Sequence, residues 1–326
     1  MKLVITGGAG FIGRMLAQAI LARGSLTGPS GRAETVDELV LFDASAGAPL
    51  PPSLARAKLV LGDIAERGAI DALIDRPDIS VFHLASIVSA GAEQDFDLAL
   101  RVNLDGGRHL LEACRRLGSR PRLVFTSSVA VFGPPAMGET VDDLSKETPQ
   151  TTYGMTKAIG ELLVNDYSRK GFVDGRAARL PTIVVRPGRP NKAASSFASG
   201  VFREPLNGEP CRLPVTLDTM MPLSGYRTAV GNLIRLHEAA GEAIGADRAV
   251  GFPSLDVSVA EMIQGLKRVA GGRTLGPIEM APDPAIQRIV AGWARRTGSA
   301  KARSLGLARD PDIDSIVREY IEDFLD

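Results

Sequence analysis

Short apolar, β-rich runs recur along the first half of the chain, each followed by a loop and a stretch with helical spacing. The pattern predicts strands over 2–6, 38–42, 57–61, 79–83, 122–126 and 178–185, with helices over 13–23, 66–75, 95–117 and 152–170. Several strand segments are apolar at nearly every position rather than at alternate ones, as parallel strands covered on both faces are. Such β/α alternation predicts an α/β fold, a doubly wound parallel sheet of the Rossmann type. Regularity ends after Pro187: residues 188–222 are rich in Gly, Pro, Ser and Asn, a helical stretch follows over 227–243, and the tail is mixed. The expected division is a sheet domain over 1–187 and a smaller, partly interleaved region over 188–326, with part of 222–252 returning to the sheet domain. Residues 24–37 and 44–52 read as surface excursions.

The first strand runs into Gly7-Gly8-Ala9-Gly10-Phe11-Ile12-Gly13 and then a helix. A tight turn that needs positive φ is one reading of such a stretch. A strand-to-helix turn at the start of an alternating fold also aims helix amides and the positive dipole end at a pyrophosphate. Gly10 then lets the backbone approach the phosphates, and Gly13 lets helix and strand pack closely. The motif can be framed from Gly7 or from Gly8. Asp43 closes the second strand, where a carboxylate accepts from both adenosine ribose hydroxyls and repels a 2′-phosphate, favouring NAD over NADP. The other reading is an exposed turn aspartate. Asp43 lies 30 residues beyond Gly13, and the polar excursion over 24–37 accommodates the extra length.

A second constellation joins Ser127-Ser128, at the end of a strand, to Tyr153-Gly154-Met155-Thr156-Lys157, at the start of a helix. Residues four apart share a helix face, so Tyr153 and Lys157 point into one cleft. An ammonium beside a phenol favours the phenolate and is expected to lower the Tyr153 pKa, giving a general base for an alcohol. Ser128 would orient the same oxygen. A buried tyrosine beside a snorkelling lysine is the plainer alternative.

Together these motifs resemble the extended short-chain dehydrogenase/reductase superfamily, over most of residues 1–188. The resemblance implies NAD as cofactor, held by Gly7, Gly10, Phe11, Ile12, Gly13, Asp43, Asp63, Ile64, Leu84, Ala85, Ser86, Asn103, Tyr153, Lys157 and Pro187. It implies catalysis by Ser128, Tyr153 and Lys157, with Asn103 supporting a proton path through water. It implies a buried ion pair between Glu161 and Arg186, with substrate binding by Arg186 as the alternative, and a homodimer built on the two long helices, which could equally cover the sheet of a monomer. Val129-Ala130 stand where sugar-nucleotide dehydratases carry an Asp-Glu pair, which argues against dehydration. The segment after Arg186 departs from the epimerase pattern and is similar to that of members oxidising small sugar acids. That similarity implies NAD-dependent oxidation at C2 of a four-carbon sugar acid, with a nucleotide-sugar epimerase and a non-enzymatic NAD-binding scaffold as rivals. Ser127, Ser128, Tyr153, Asn191, Ser195 and Ser196 are the expected substrate contacts, and Arg227 the expected carboxylate partner. Each of Ser195 and Ser196 could instead stabilise its loop, and Arg227 could be a solvated helix-start residue.

Composition narrows the classes further. The 326 residues carry 38 Lys+Arg against 38 Asp+Glu, so no charge excess favours nucleic acid or an acidic membrane surface. No apolar run approaches the roughly 20 residues of a membrane span. Cys114 and Cys211 have no zinc spacing, so no metal is expected, and they suit a reducing compartment. With no basic-then-apolar leader after Met1, the expectation is a cytoplasmic protein with a small polyhydroxylated carboxylate as its partner.

Overall fold

The computed structural model describes residues 1–190 and 193–325. The strands that position the site are β1 (Lys2–Thr6), β2 (Glu38–Asp43), β3 (Ala57–Leu61), β4 (Ile79–His83), β5 (Arg122–Ser128), β6 (Asp174–Leu180), β7 (Thr182–Val184), β8 (Met220–Gly225), β9 (Ala249–Gly251) and β10 (Leu255–Ser258). The helices that matter here are α1 (Phe11–Arg23), α2 (Arg67–Leu73), α3 (Gly106–Leu117), α4 (Thr152–Arg169), α5 (Ser196–Leu206), α6 (Tyr226–Glu238) and α7 (Ile313–Phe324). Seven parallel strands form the main sheet in the order β9-β6-β5-β4-β1-β2-β3. Strand order reverses between β1 and β4, so the crevice beyond their carboxyl ends is the expected ligand position.

Apolar runs explain the layers. β1 and β4 are buried along their whole length, and the sheet is covered on both faces. One face packs against α1 and α6 through Leu16, Ile20, Val230 and Leu233; the other packs against α2, α3 and α4 through Ile70, Leu110 and Val164. A separate apolar cluster gathers β8, α5 and α7 around Phe202, Met221 and Ile316. There β7, β8 and β10 form a second sheet, and the chain comes back to the main sheet at β9.

Three sequence expectations change. The strand expected over 178–185 is two strands in two sheets, interrupted at Pro181, and the first begins earlier, at Asp174. Its charged residues Arg176 and Arg179 hid it from an apolar-run criterion, yet both are buried and paired with Asp174 and Glu161. The excursion over 24–37 carries a small antiparallel ladder, Ser25–Thr27 against Ala33–Thr35. The helix expected over 95–117 is helical throughout, but Leu100–Asp105 is wound as a π-helix that carries Asn103. Among the described residues no helix is long and apolar enough to cross a membrane, and no acidic, His or Cys cluster could hold a metal.

Two buried histidines link this packing to pH. His83 ends β4, and His237 near the end of α6 stacks on Phe82 with centroids 5.1 Å apart. Burial pushes their pKa values down from the ordinary 6.5, to about 3 and about 4. The unfolded chain therefore binds more protons than the folded one in that window. Their stabilising contribution is complete above 6.5 and is lost as pH falls towards 4 and 3. Melting temperature should drop over that range, and His237→Phe, which keeps an aromatic ring on Phe82, should flatten the drop. An unchanged slope in that variant contradicts the assignment.

Candidate active site

The glycine turn lies at the strand-order reversal. Thr6 joins the ends of β1 and β4: its Oγ1 meets His83 Nδ1 at 2.7 Å and accepts from the Ala85 N–H at 3.3 Å, and its carbonyl accepts from the Leu84 N–H. Close packing demands glycine at position 13, where a Cβ would lie 2.6 Å from Gly7 O and 2.7 Å from Gly8 Cα. Gly10 is the N-cap of α1, and no side chain caps that helix end, so its first amides are free to bind an anion. Asp43 Oδ2 accepts from the Ala9 N–H at 3.1 Å, which places a carboxylate beside the turn. Asp63 accepts from the Ala65 N–H and from Arg101, and these bonds hold its carboxyl below the usual range. Ile64 beside it is buried. Amides at a helix start with a carboxylate at the next strand end form the donor and acceptor set a dinucleotide requires.

A cavity of about 310 Å³ runs from this crevice towards the second sheet. Ile12, Leu84 and Ser86 line its cofactor side; Ser128, Tyr153 and Lys157 its middle; Ser195, Ser196 and Arg186 its far side. Local structure accounts for the meeting of the middle three. Thr151 caps α4 by accepting from the Gly154 N–H at 3.0 Å, which fixes Tyr153 in the first turn. A Cβ on Gly154 would lie 2.1 Å from Ala130 O, so glycine there lets α4 abut the turn after β5. Ser128 ends β5 and its Oγ accepts from the Ala130 N–H.

Electrostatics in this cluster run against the expected lowering of the phenol. Burial pushes Tyr153 up to about 12, and the Ser128 hydroxyl beside it pulls the other way. Burial also pulls Lys157 down to about 7, opposed by the charge of Glu161. The lysine ammonium donates to Thr126 O at 2.7 Å and lies over the Tyr153 ring, 5.4 Å from its centroid. Desolvation penalises both charged forms, and a lysine near its own titration point gives the phenol less help than an exposed one.

Other expected residues take different places. The Asn103 amide is occupied: Oδ1 accepts from Ser86 Oγ and the Ile87 N–H, and Nδ2 donates to Ile87 O and Thr156 Oγ1. It ties the loop after β4 to α4 and is not part of the cavity lining. Ser127 lines the cavity, and its hydroxyl donates to Glu161 Oε1, which leaves only its acceptor lone pairs for a ligand. Glu161 pairs with Arg179, not Arg186: Arg179 Nε lies 3.0 Å from both carboxylate oxygens and its Nη2 2.6 Å from Oε2. Arg179 is in register with Ser127 on β5 and faces α4, whereas Arg186 follows β7, which has already left the main sheet. Arg227 lies outside the cavity lining, its guanidinium bound to Asp323 at 2.6 Å and Glu322 at 2.9 Å. Phe11 packs on Tyr226 and Phe324 rather than facing the cavity. Pro187 follows Arg186 outside the lining, and Asn191 lies outside the described residues.

The strongest feature of the far side is a residue for which the ion pair was the preferred expectation and substrate binding the alternative. Arg186 is half-buried in the cavity wall, and no carboxylate of a described residue pairs with it. Burial and the like charge of Arg203 both lower its pKa. Its position is set by α5: Ser199 Oγ accepts from the Arg186 N–H at 3.0 Å, and Arg203 donates to the Arg186 carbonyl at 2.8 Å. The lone tryptophan, Trp293, also lines the cavity and carried no motif that would have placed it there.

Residues 3–224 match the NAD dependent epimerase/dehydratase family. A D-erythronate dehydrogenase of Cupriavidus necator is 46% identical over 99% of this chain and 98% of its own length. A D-erythronate dehydrogenase of Haemophilus influenzae is 40% identical over 99% of each chain. The crystal structure described as a nucleoside-diphosphate-sugar epimerase from Agrobacterium tumefaciens superposes with a TM-score of 0.91 at 40% identity, covering 100% of this chain and 94% of that one.

The buried pair gives a direct test. Arg179 and Glu161 side chains are 6% and 2% exposed, so Arg179→Met strands a carboxylate in the interior. That loss should cost about 3 kcal/mol or more of unfolding free energy. Arg186→Met should leave stability nearly unchanged. Denaturant titrations giving the reverse order would overturn this assignment.

Proposed function

The chain belongs to the NAD dependent epimerase/dehydratase family and is an NAD-dependent oxidoreductase; from that premise we propose that it oxidises the C2 hydroxyl of a small sugar acid, D-erythronate, to the 2-oxo acid. The observation that carries the substrate class is Arg186, a half-buried cation without an acidic partner among the described residues, in the same cavity as Ser128, Tyr153 and Lys157. A guanidinium so placed binds a carboxylate in a planar, two-point arrangement. In this reading Arg186 replaces Arg227 as carboxylate partner, and Ser195, which lines the same cavity at the start of α5, binds a distal hydroxyl. The relatives named for D-erythronate support the same reading.

NAD, when bound, supplies the hydride acceptor. The residues that would hold it are the amides at the start of α1, Asp43 for the adenosine ribose, and Asp63 with Ile64 beside the adenine. Tyr153, in its phenolate form, accepts the C2 hydroxyl proton, and Ser128 orients the reacting oxygen. Lys157, held by Thr126 O, supplies positive charge that favours the phenolate before it takes up the alcohol's proton. Val129 and Ala130, which line the wall next to Ser128, carry no group able to move a proton, so elimination of water has no acid or base there.

The similarity to a structure described as a nucleotide-sugar epimerase sustains a second reading on the same machinery. Epimerisation returns the hydride and accumulates no NADH. Incubation with NAD and D-erythronate should give a steady rise in NADH absorbance; none with any four-carbon aldonic acid would reject the dehydrogenase reading. Tyr153→Phe should lower kcat by about a thousand-fold or more while NAD still binds, because general-base catalysis contributes on that order. Full turnover in that variant would reject the mechanism. Arg186→Met should raise the sugar-acid KM far more than it lowers kcat, and an unchanged KM would remove Arg186 from the site.

Homodimer formation is part of this reading. Phe96 and Leu162 stand 53% and 64% exposed on the long helical segments expected to pair. Light scattering should give twice the chain mass, and a monomer at micromolar concentration contradicts it.

A further inference from the structure

Arg14 stands on the first turns of α1, next to the glycine turn, and its guanidinium is spent entirely on main-chain carbonyls. Nε donates to Ala9 O at 2.8 Å, Nη1 to Pro49 O at 3.0 Å, and Nη2 to Ala46 O at 3.1 Å and to Ala48 O. One side chain therefore gathers the glycine turn and three residues of the loop that follows β2. That loop begins immediately after Asp43, and its residues 44–49 are exposed. It is also composed of Ala, Ser, Gly and Pro, so it brings no large side chain of its own to hold it down.

Two further observations point to a built arrangement. Ala9 uses both of its polar groups here: its N–H donates to Asp43 Oδ2, and its carbonyl accepts from Arg14. Gly47, at the centre of the loop, has φ +61°, and a Cβ there would lie 3.2 Å from Arg14 Nη2 and 3.4 Å from Ala9 O. The loop is thus pressed onto the guanidinium closely enough that a side chain at 47 would crowd it, in a conformation that other residues rarely adopt.

We propose that Arg14 is a cofactor-positioning residue, which clamps the loop over 44–49 against the glycine turn and so builds the outer wall of the adenosine-ribose site beside Asp43. The proposal rests on the reading of Asp43 as the ribose carboxylate. Its physical content is preorganisation. A loop already ordered in the free protein loses little further entropy on binding, whereas an untethered loop must be ordered at the cost of affinity. Only a planar fork with several donors can hold four carbonyls at once, so lysine is not an equivalent replacement.

The test compares wild type, Arg14→Ala, Arg14→Lys and Gly47→Val. NAD affinity is measured by calorimetry, steady-state kinetics with NAD as varied substrate, and loop order by amide hydrogen exchange over 44–50. Both Arg14 variants and Gly47→Val should raise the NAD dissociation constant and KM by about five-fold or more, with kcat at saturating NAD changed far less. Exchange over 44–50 should accelerate in the free variants and slow again when NAD binds. Wild-type NAD affinity in Arg14→Ala, or full rescue by Arg14→Lys, overturns the clamp. So does a loss of melting temperature with equal losses in kcat and affinity, the signature of a merely structural residue. Failure of the wild-type protein to bind NAD would instead reject the cofactor reading on which the proposal stands.

Discussion

Lys157 is a cation taken out of water, and the site is organised around making that tolerable. Its ammonium rests on the Thr126 carbonyl and over the rings of Phe125 and Tyr153, with Glu161 one helical turn further along α4. Glu161 is itself buried and is held by Arg179 from β6 and by the Ser127 hydroxyl from β5. One buried ion pair, Arg179 with Glu161, therefore lies a helical turn from Lys157, and the charge of Glu161 favours the ammonium. The parallel register that sets Ser127 opposite Arg179 also sets Ser128 beside the end of the next strand, where the cavity opens. Tyr153, Lys157 and Glu161 stand on one helix, so the buried ion pair that anchors α4 to the sheet also bears on the reacting position.

The two ends of the cavity are built differently, and the difference matters for function. The dinucleotide end uses backbone: amides at a helix start, close glycine packing, and a loop held by carbonyl bonds to Arg14. Such a site recognises a constant shape. The far end uses side chains from the second sheet region, Arg186, Ser195, Ser196 and Trp293, placed by α5 and the tail. In the proposed function substrate choice lies with this second group, and the bonds of Ser199 and Arg203 to the Arg186 backbone show how a loop residue is given a fixed direction.

Much of this was legible in the sequence because it depends on local pattern. Apolar runs placed β1, β3 and β4 to the residue, and the glycine turn and the Tyr153/Lys157 spacing pointed to elements that border one cavity. What was not legible depended on distant partners. Arg176 and Arg179 disguised β6, since a charged residue reads as exposed until the carboxylate that pairs with it is known. Arg186 was assigned to a buried pair by family resemblance, with no view of Arg179 reaching Glu161 from β6; Arg227 was chosen for its chemistry with no knowledge of the C-terminal acids that already hold it. Trp293 arrives from a tail that has no periodic pattern, and only packing of the second apolar cluster brings it to the cavity.

The central claim is that Tyr153 opens the path for a hydride to leave C2 of a four-carbon sugar acid. D-erythronate carrying deuterium at C2 tests it most directly, by mass spectrometry of the reduced cofactor. The account predicts NADH that carries the label, with turnover slowed by the heavier isotope. Unlabelled NADH, or label returned to the sugar acid with inverted configuration, would contradict it.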